Sequence, residues 1–159
     1  MSDPFRPTDD AARAQARALI DGATFAALAV TDPASLRPSV SRVALATDAR
    51  GWPLSLISTL APHTAALEAN PACALLIGEP GDKGDPLTHP RLTLHASARL
   101  VPRDAPEHDV FRSRYLALRP KAALYADFAD FRFVLFMPQD ALFNGGFGKA
   151  FRLAADDLG

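Results

Sequence analysis

The first pattern along the chain is a series of short apolar segments separated by turn residues. Phe25 to Val30 is a short apolar run and reads as a buried strand. Ser39 to Thr47 alternates and reads as a second. Asp48-Ala49-Arg50-Gly51 then makes a hairpin connection to a return strand, Trp52 to Ser58. Further strands are expected at Cys73 to Ile77, Arg91 to Val101 and Phe131 to Met137. Helical segments lie between them. Thr8 can cap a helix with Asp9 and Asp10 in its positive first turn, running through Ile20 to a stop at Asp21-Gly22. His63 to Ala69 is helical up to Asn70-Pro71. Asp104-Ala105-Pro106-Glu107 starts a helix that reaches about Leu118, and Lys121 to Asp127 adds a shorter one. Residues 78–90 read as an exposed loop, and Asn144-Gly145-Gly146-Phe147-Gly148 lies in a tail.

About six strands in tight, hairpin-linked succession favour a mainly β, α+β fold: a six-stranded antiparallel sheet curled into a small barrel, with peripheral helices. Regular strand–helix alternation is missing, which argues against a doubly wound parallel sheet. The 159 residues make one domain, 1–159, with a flexible arm over 1–7 and a flexible tail over 153–159. Lys and Arg number 17 against 18 Asp and Glu, a net charge of -1, so no basic excess points to nucleic acid or an anionic membrane. The start has no apolar signal-type core, no run is long enough to span a bilayer, and the one cysteine, Cys73, excludes a disulfide framework. A cytoplasmic location is the default expectation.

The candidate chemistry concentrates between Arg42 and Pro71. Arg42 interrupts an apolar strand. It is either an edge arginine facing water or an anion clamp whose guanidinium fork matches phosphate oxygens. In Ser58-Thr59-Leu60-Ala61-Pro62-His63-Thr64 a strand ends in hydroxyls where a helix begins. With His63 as cation and Thr64 as donor, that corner suits an anion; ordinary helix capping is the competing reading. The hairpin brings Arg42 beside this corner and tips the balance to phosphate. Arg91, at a strand end, could reach a ligand at the barrel rim or simply be solvated. His95 reads as a core or interface histidine rather than a ligand. The glycines at 145, 146 and 148 lack the dinucleotide spacing, and Lys83 is followed by Gly84, which breaks a Walker motif. The four histidines lack metal-ligand spacing, and no Gly-x-Ser-x-Gly occurs. No residue stands out as catalytic.

Taken in order, the Arg42 strand, Ser58-Thr59-Leu60-Ala61-Pro62-His63-Thr64 and Leu67-Glu68-Ala69-Asn70-Pro71 resemble the pyridoxamine-phosphate-oxidase-like flavin-binding split barrels. Gly84-Asp85-Pro86-Leu87, Arg91-Leu92-Thr93-Leu94, Arg114-Tyr115-Leu116, Tyr125-Ala126-Asp127-Phe128 and Gly145 to Ala150 are similar to that superfamily's haem-utilisation branch. The resemblance implies a homodimer with FMN at the subunit interface. It implies phosphate contacts from Arg42 and His63, helped by Ser58 and Thr64. Val43, Thr59 and Leu60 would lie along the flavin, Arg91 near its ring, and Lys149 with its glycine segment near the flavin or the partner. His63 stands where many relatives place lysine, and no histidine follows His108, against haem ligation from a tail. The implied function is an FMN-dependent oxidoreductase acting on a small molecule. The alternatives are a non-enzymatic flavin- or haem-binding protein, or a barrel that works only through dimer contacts. The cluster Phe128, Phe131, Phe133 and Phe136 either fills the core or supports such a dimer.

Overall fold

A computed structural model describes residues 2–159. Its elements in chain order are α1 (Asp10–Gly22), β1 (Phe25–Thr31), β2 (Pro38–Ala44), β3 (Ala46–Thr47), β4 (Pro53–Ser58), α2 (Pro62–Ala69) and β5 (Ala72–Ile77). Then come β6 (Arg91–Val101), α3 (His108–Leu118), β7 (Phe131–Asn144) and β8 (Ala150–Ala154). Short 3-10 turns lie at Pro86–Thr88, Pro120–Leu124 and Ala155–Leu158. All strand pairings are antiparallel, in the order β2-β1-β5-β6-β7-β4-β3, with β8 added to β7.

The two ends of that order are one segment. β2 pairs with β1, β3 pairs with β4, and only Leu45 separates β2 from β3. The strand expected over 39–47 therefore changes partner at Leu45 and closes the barrel. Counted this way the barrel has six strands, as expected, and β8 lies outside the count. The closure is incomplete. β3 and β4 pair only at Ala46 with Leu54 and Thr47 with Pro53. One residue further on, the Ser55 hydroxyl donates to the Ala44 carbonyl at 2.5 Å, a side chain standing in for a ladder bond. Beyond it β2 stays with β1 and β4 with β7, leaving a seam between them.

Strict alternation fills the barrel. Ala26, Leu28 and Val30 point inward from β1 and meet Leu75, Leu94, Val134 and Phe136. Full burial of each such leucine stabilises the fold by roughly 2–3 kcal/mol. A second core lies outside β7, where Phe133 and Leu135 pack with Leu54, Val101 and Tyr115 of α3. The phenylalanine cluster therefore divides. Phe136 fills the barrel, Phe133 fills the second core, Phe131 packs on Tyr125 with centroids 4.9 Å apart, and Phe128 is exposed. α3 and the turn after it brace the closure: Arg114 Nε donates to Thr47 O at 2.5 Å and Arg119 Nε to Leu45 O at 2.7 Å.

Five details differ from the expectations. The α1 cap is Asp9, whose carboxylate accepts from Ala12 N at 2.8 Å. The Asp104–Glu107 start is a turn, and α3 begins at His108 without a side-chain cap. The expected arm is anchored over its described residues, 2–7: Arg6 N donates to Ala150 O at 2.8 Å, and the Arg152 guanidinium lies 4.0 Å over the Phe5 ring. The tail is also structured, since Leu153 and Leu158 are buried and Asp157 pairs with Arg13 at 2.6 Å. β7 runs past Met137 to Asn144, so the glycine segment is the β7–β8 hairpin. Gly146 sits there at φ 120°, and a Cβ would meet the Thr88 carbonyl at 3.1 Å, so the tight approach requires glycine.

Candidate functional site

The seam is the first candidate. A pocket of about 280 Å³ opens there, lined in part by Arg42, Val43, Ser58, His63, Tyr125 and Phe131. Four residues expected together are thus brought together. Thr59 and Leu60 follow at the end of β4, where Leu60 is exposed. Arg91 and Lys149 are elsewhere. Arg91 lines a different pocket beside the β7–β8 hairpin and donates to the Leu87 carbonyl at 3.0 Å. Lys149 belongs to that hairpin, its N–H donating to Gly146 O at 3.1 Å.

The corner does not have the chemistry of a phosphate cradle. His63 Nδ1 is 2.9 Å from the Ser41 hydroxyl, while Nε2 is buried without a partner. Burial pushes its pKa below the usual histidine value, so the ring is held neutral and is not the expected cation. The Thr64 hydroxyl is buried and donates to Ser58 O at 2.5 Å, so it is already spent on the backbone. The Ser58 hydroxyl faces a carboxylate, donating to Asp130 Oδ2 at 3.1 Å and accepting from Leu60 N at 3.1 Å. A dianionic ester here would meet a spent hydroxyl, a neutral ring and a nearby acid. Arg42 remains open: its guanidinium lies 5.3 Å from the Phe25 ring centroid and is otherwise exposed.

The register shows where Arg42 points. Arg42 pairs with Ala27, Ala27 with Leu76, Leu76 with Thr93 and Thr93 with Leu142. Paired residues share a face, and the neighbours of these in each strand are the buried ones, so this row lies on the outside of the sheet. The adjacent outer row is Val40, Ala29, Ala74, His95 and Asp140. This face is apolar and uncovered, with Val40 66% exposed, Leu76 47% and Leu142 36%. Within it His95 Nδ1 meets Asp140 Oδ1 at 2.5 Å, with both side chains about half exposed. The sequence reading placed His95 in a core or interface, and Asp140 was not singled out because the strand seemed to end at Met137. One signal was available: positions 91, 93 and 95 are polar where 92, 94 and 96 are apolar. That alternation sends His95 outward with Arg91 and Thr93.

An antiparallel barrel split along one seam, with small peripheral helices and a bare outer face, defines a class of split barrels. The sequence pattern of pyridoxamine 5'-phosphate oxidase matches residues 12–144, and the chain belongs to that family. Non-canonical heme oxygenase HOZ, a chloroplastic protein of Arabidopsis thaliana, is 43% identical over 115 residues, covering 72% of this chain and 34% of the relative. Heme oxygenase HutZ of Vibrio cholerae is 30% identical over 127 residues, covering 77% of this chain and 70% of the relative. The chain therefore spans about a third of the chloroplast relative's length. The solved heme binding protein from Mycobacterium smegmatis superposes with a TM-score of 0.84 at 24% identity, over 95% of this chain and 61% of that one. These findings confirm the haem-utilisation branch. They overturn the expected FMN, because both curated relatives are named for heme. Among the described residues, no helix is long and apolar enough to cross a membrane.

Proposed function

We propose that this chain binds haem on its outer sheet face and supports its oxidative breakdown. The observation that carries the reading is that relatives 43% and 30% identical are both named heme oxygenases. The residues present fit the group. Ala27, Ala29 and Ala74 leave an unobstructed apolar floor, with Val40 and Leu76 beside it, that a planar apolar ring can cover. Arg42 stands at the margin of that floor with a free guanidinium, the donor that suits a propionate carboxylate. Bound haem would supply redox-active iron, with dioxygen and an external reductant as co-reactants. The protein's part would be to orient the ring and exclude water from one side of it.

A second copy of the chain would cover the other side. An exposed face carrying Val40, Leu76 and Leu142 in register is the kind of surface that oligomers bury. The homodimer thus belongs to the same proposal, and light scattering of the purified protein tests it.

Titration with ferric haem, followed by absorption, tests the main reading. A saturable shift of the Soret band at about one haem per chain is expected, with no quenching of added FMN fluorescence. Absence of any haem shift at micromolar protein would overturn it. Adding ascorbate in air then separates breakdown from storage: progressive Soret loss with an open-chain tetrapyrrole product supports oxygenation, and an unchanged spectrum rejects it.

A further inference from the structure

We infer that His95 is the protein ligand to the haem iron and that Asp140 is its positioning residue. The inference rests on the haem-binding reading above and adds to it the ligating atom. A haem-ligating imidazole usually presents one nitrogen to the metal while the other donates to a carboxylate or carbonyl that fixes tautomer and orientation. His95 has that arrangement. Nδ1 lies 2.5 Å from Asp140 Oδ1, so it carries the proton toward the carboxylate. With Nδ1 turned to the carboxylate, Nε2 is the ring nitrogen left to face a metal.

The backbone supports the same conclusion. The β6–β7 register shifts between His95 and Ala96: His95 faces Asp140, whereas Ala96 faces Pro138, leaving Gln139 unpaired. A bulge of this kind re-aims the flanking side chains. It sits beside the pair, on the apolar face, one strand from Ala74 and three from Arg42. Three strand spacings are about 14 Å. That is a span over which a porphyrin bound at His95 can reach a guanidinium with its propionates.

The other histidines are committed. His89 accepts from Gly81 N at 3.1 Å through Nδ1, and its Nε2 donates to Lys83 O at 2.7 Å. His108 is mostly buried, edge-on to Phe133 at 5.4 Å. His63 uses Nδ1 on the Ser41 hydroxyl at 2.9 Å, and its Nε2 is buried inside the seam rather than presented to the outer face.

The test is spectroscopy of the haem-loaded full chain for wild type, His95→Ala, His95→Tyr, Asp140→Asn and His63→Ala, with folding checked by circular dichroism. The reduced wild type is expected to show an iron–histidine stretch by resonance Raman. His95→Ala should lose that band and regain it with added imidazole. His95→Tyr, a second route should the alanine variant not fold, should turn the ferric spectrum into that of a phenolate complex. Asp140→Asn should lower the stretching frequency and weaken haem affinity about 10- to 100-fold. Bands unchanged in His95→Ala, or lost in His63→Ala instead, would overturn the assignment while leaving haem binding intact. An unshifted stretch in Asp140→Asn would overturn the role of Asp140. A wild type that takes up no haem would overturn the binding reading, and this inference with it.

Discussion

Arg119 holds the barrel closed from outside, and removing it tests the closure directly. Its Nε donates to Leu45 O at 2.7 Å and its Nη2 to Ala23 O at 2.8 Å; both contacts are partly buried. A third bond, Nη1 to Leu118 O at 2.6 Å, is exposed. Leu45 is the residue at which the strand changes partners, and Ala23 caps α1 just before β1. One side chain therefore ties α3 to both ends of the closure. A charge-assisted hydrogen bond contributes about 1.5–3 kcal/mol. Counting the two partly buried bonds, and discounting by about half for solvent screening and the relieved desolvation of the guanidinium, leaves about 1.5–3 kcal/mol. For a domain of this size each kcal/mol is about 2–4 °C. Arg119→Met should thus lower the melting temperature by about 3–12 °C. Arg119→Lys should recover little, because a single ammonium cannot span two carbonyls. Thermal melts by circular dichroism, with exposed Arg37→Met as control, measure this. A change no larger than that of the control would refute the idea that the closure depends on this clamp.

Three further expectations follow from the packing and protonation. Leu75→Ala, at a fully buried position between Leu28 and Leu94, should cost about 3–5 kcal/mol in urea unfolding; a loss under 1 kcal/mol would mean the barrel interior is not close-packed. His63 is held below its usual pKa by burial, so the unfolded chain binds the proton more readily and stability should fall as pH drops below about 6.5. His63→Gln should flatten that part of the stability curve between pH 7.5 and 5, and an unchanged slope would show that His63 does not cause it. The Cys73 thiol is pushed up to about 12 by burial, so at pH 8 it should react with iodoacetamide about a thousandfold more slowly in the native than in the unfolded protein. Comparable rates would contradict its burial.

Much of the architecture was legible because strand alternation and turn chemistry are local. β6 was read to the residue, and the hairpin at 48–51 is a turn in which Asp48 accepts from Arg50 N and Trp52 N, each at 2.9 Å. The partner change at Leu45 was not legible, since no turn residue interrupts Val43 to Thr47 and only three-dimensional closure reveals it. β7 runs further than expected: Pro138 continues the strand opposite Ala96 at the bulge, where an irregular ladder tolerates proline. The site was harder. Residue types at the Ser58–Thr64 corner suggested an anion cradle, but whether a hydroxyl is free depends on tertiary partners. Asp130 arrives from 72 residues away to occupy Ser58. The His95–Asp140 pair is separated by 45 residues and exists only through the β6–β7 register. Arg42 was readable as an anomaly in an apolar strand, and the structure leaves it the one expected cation still open on the face that matters.

The most direct check is to locate the metal. Crystals grown with ferric haem and measured at the iron absorption edge should show an anomalous peak against the outer face of β5 and β6, within bonding distance of an imidazole. A peak in the seam beside His63, or a haem lying anywhere but on that face, would contradict the account.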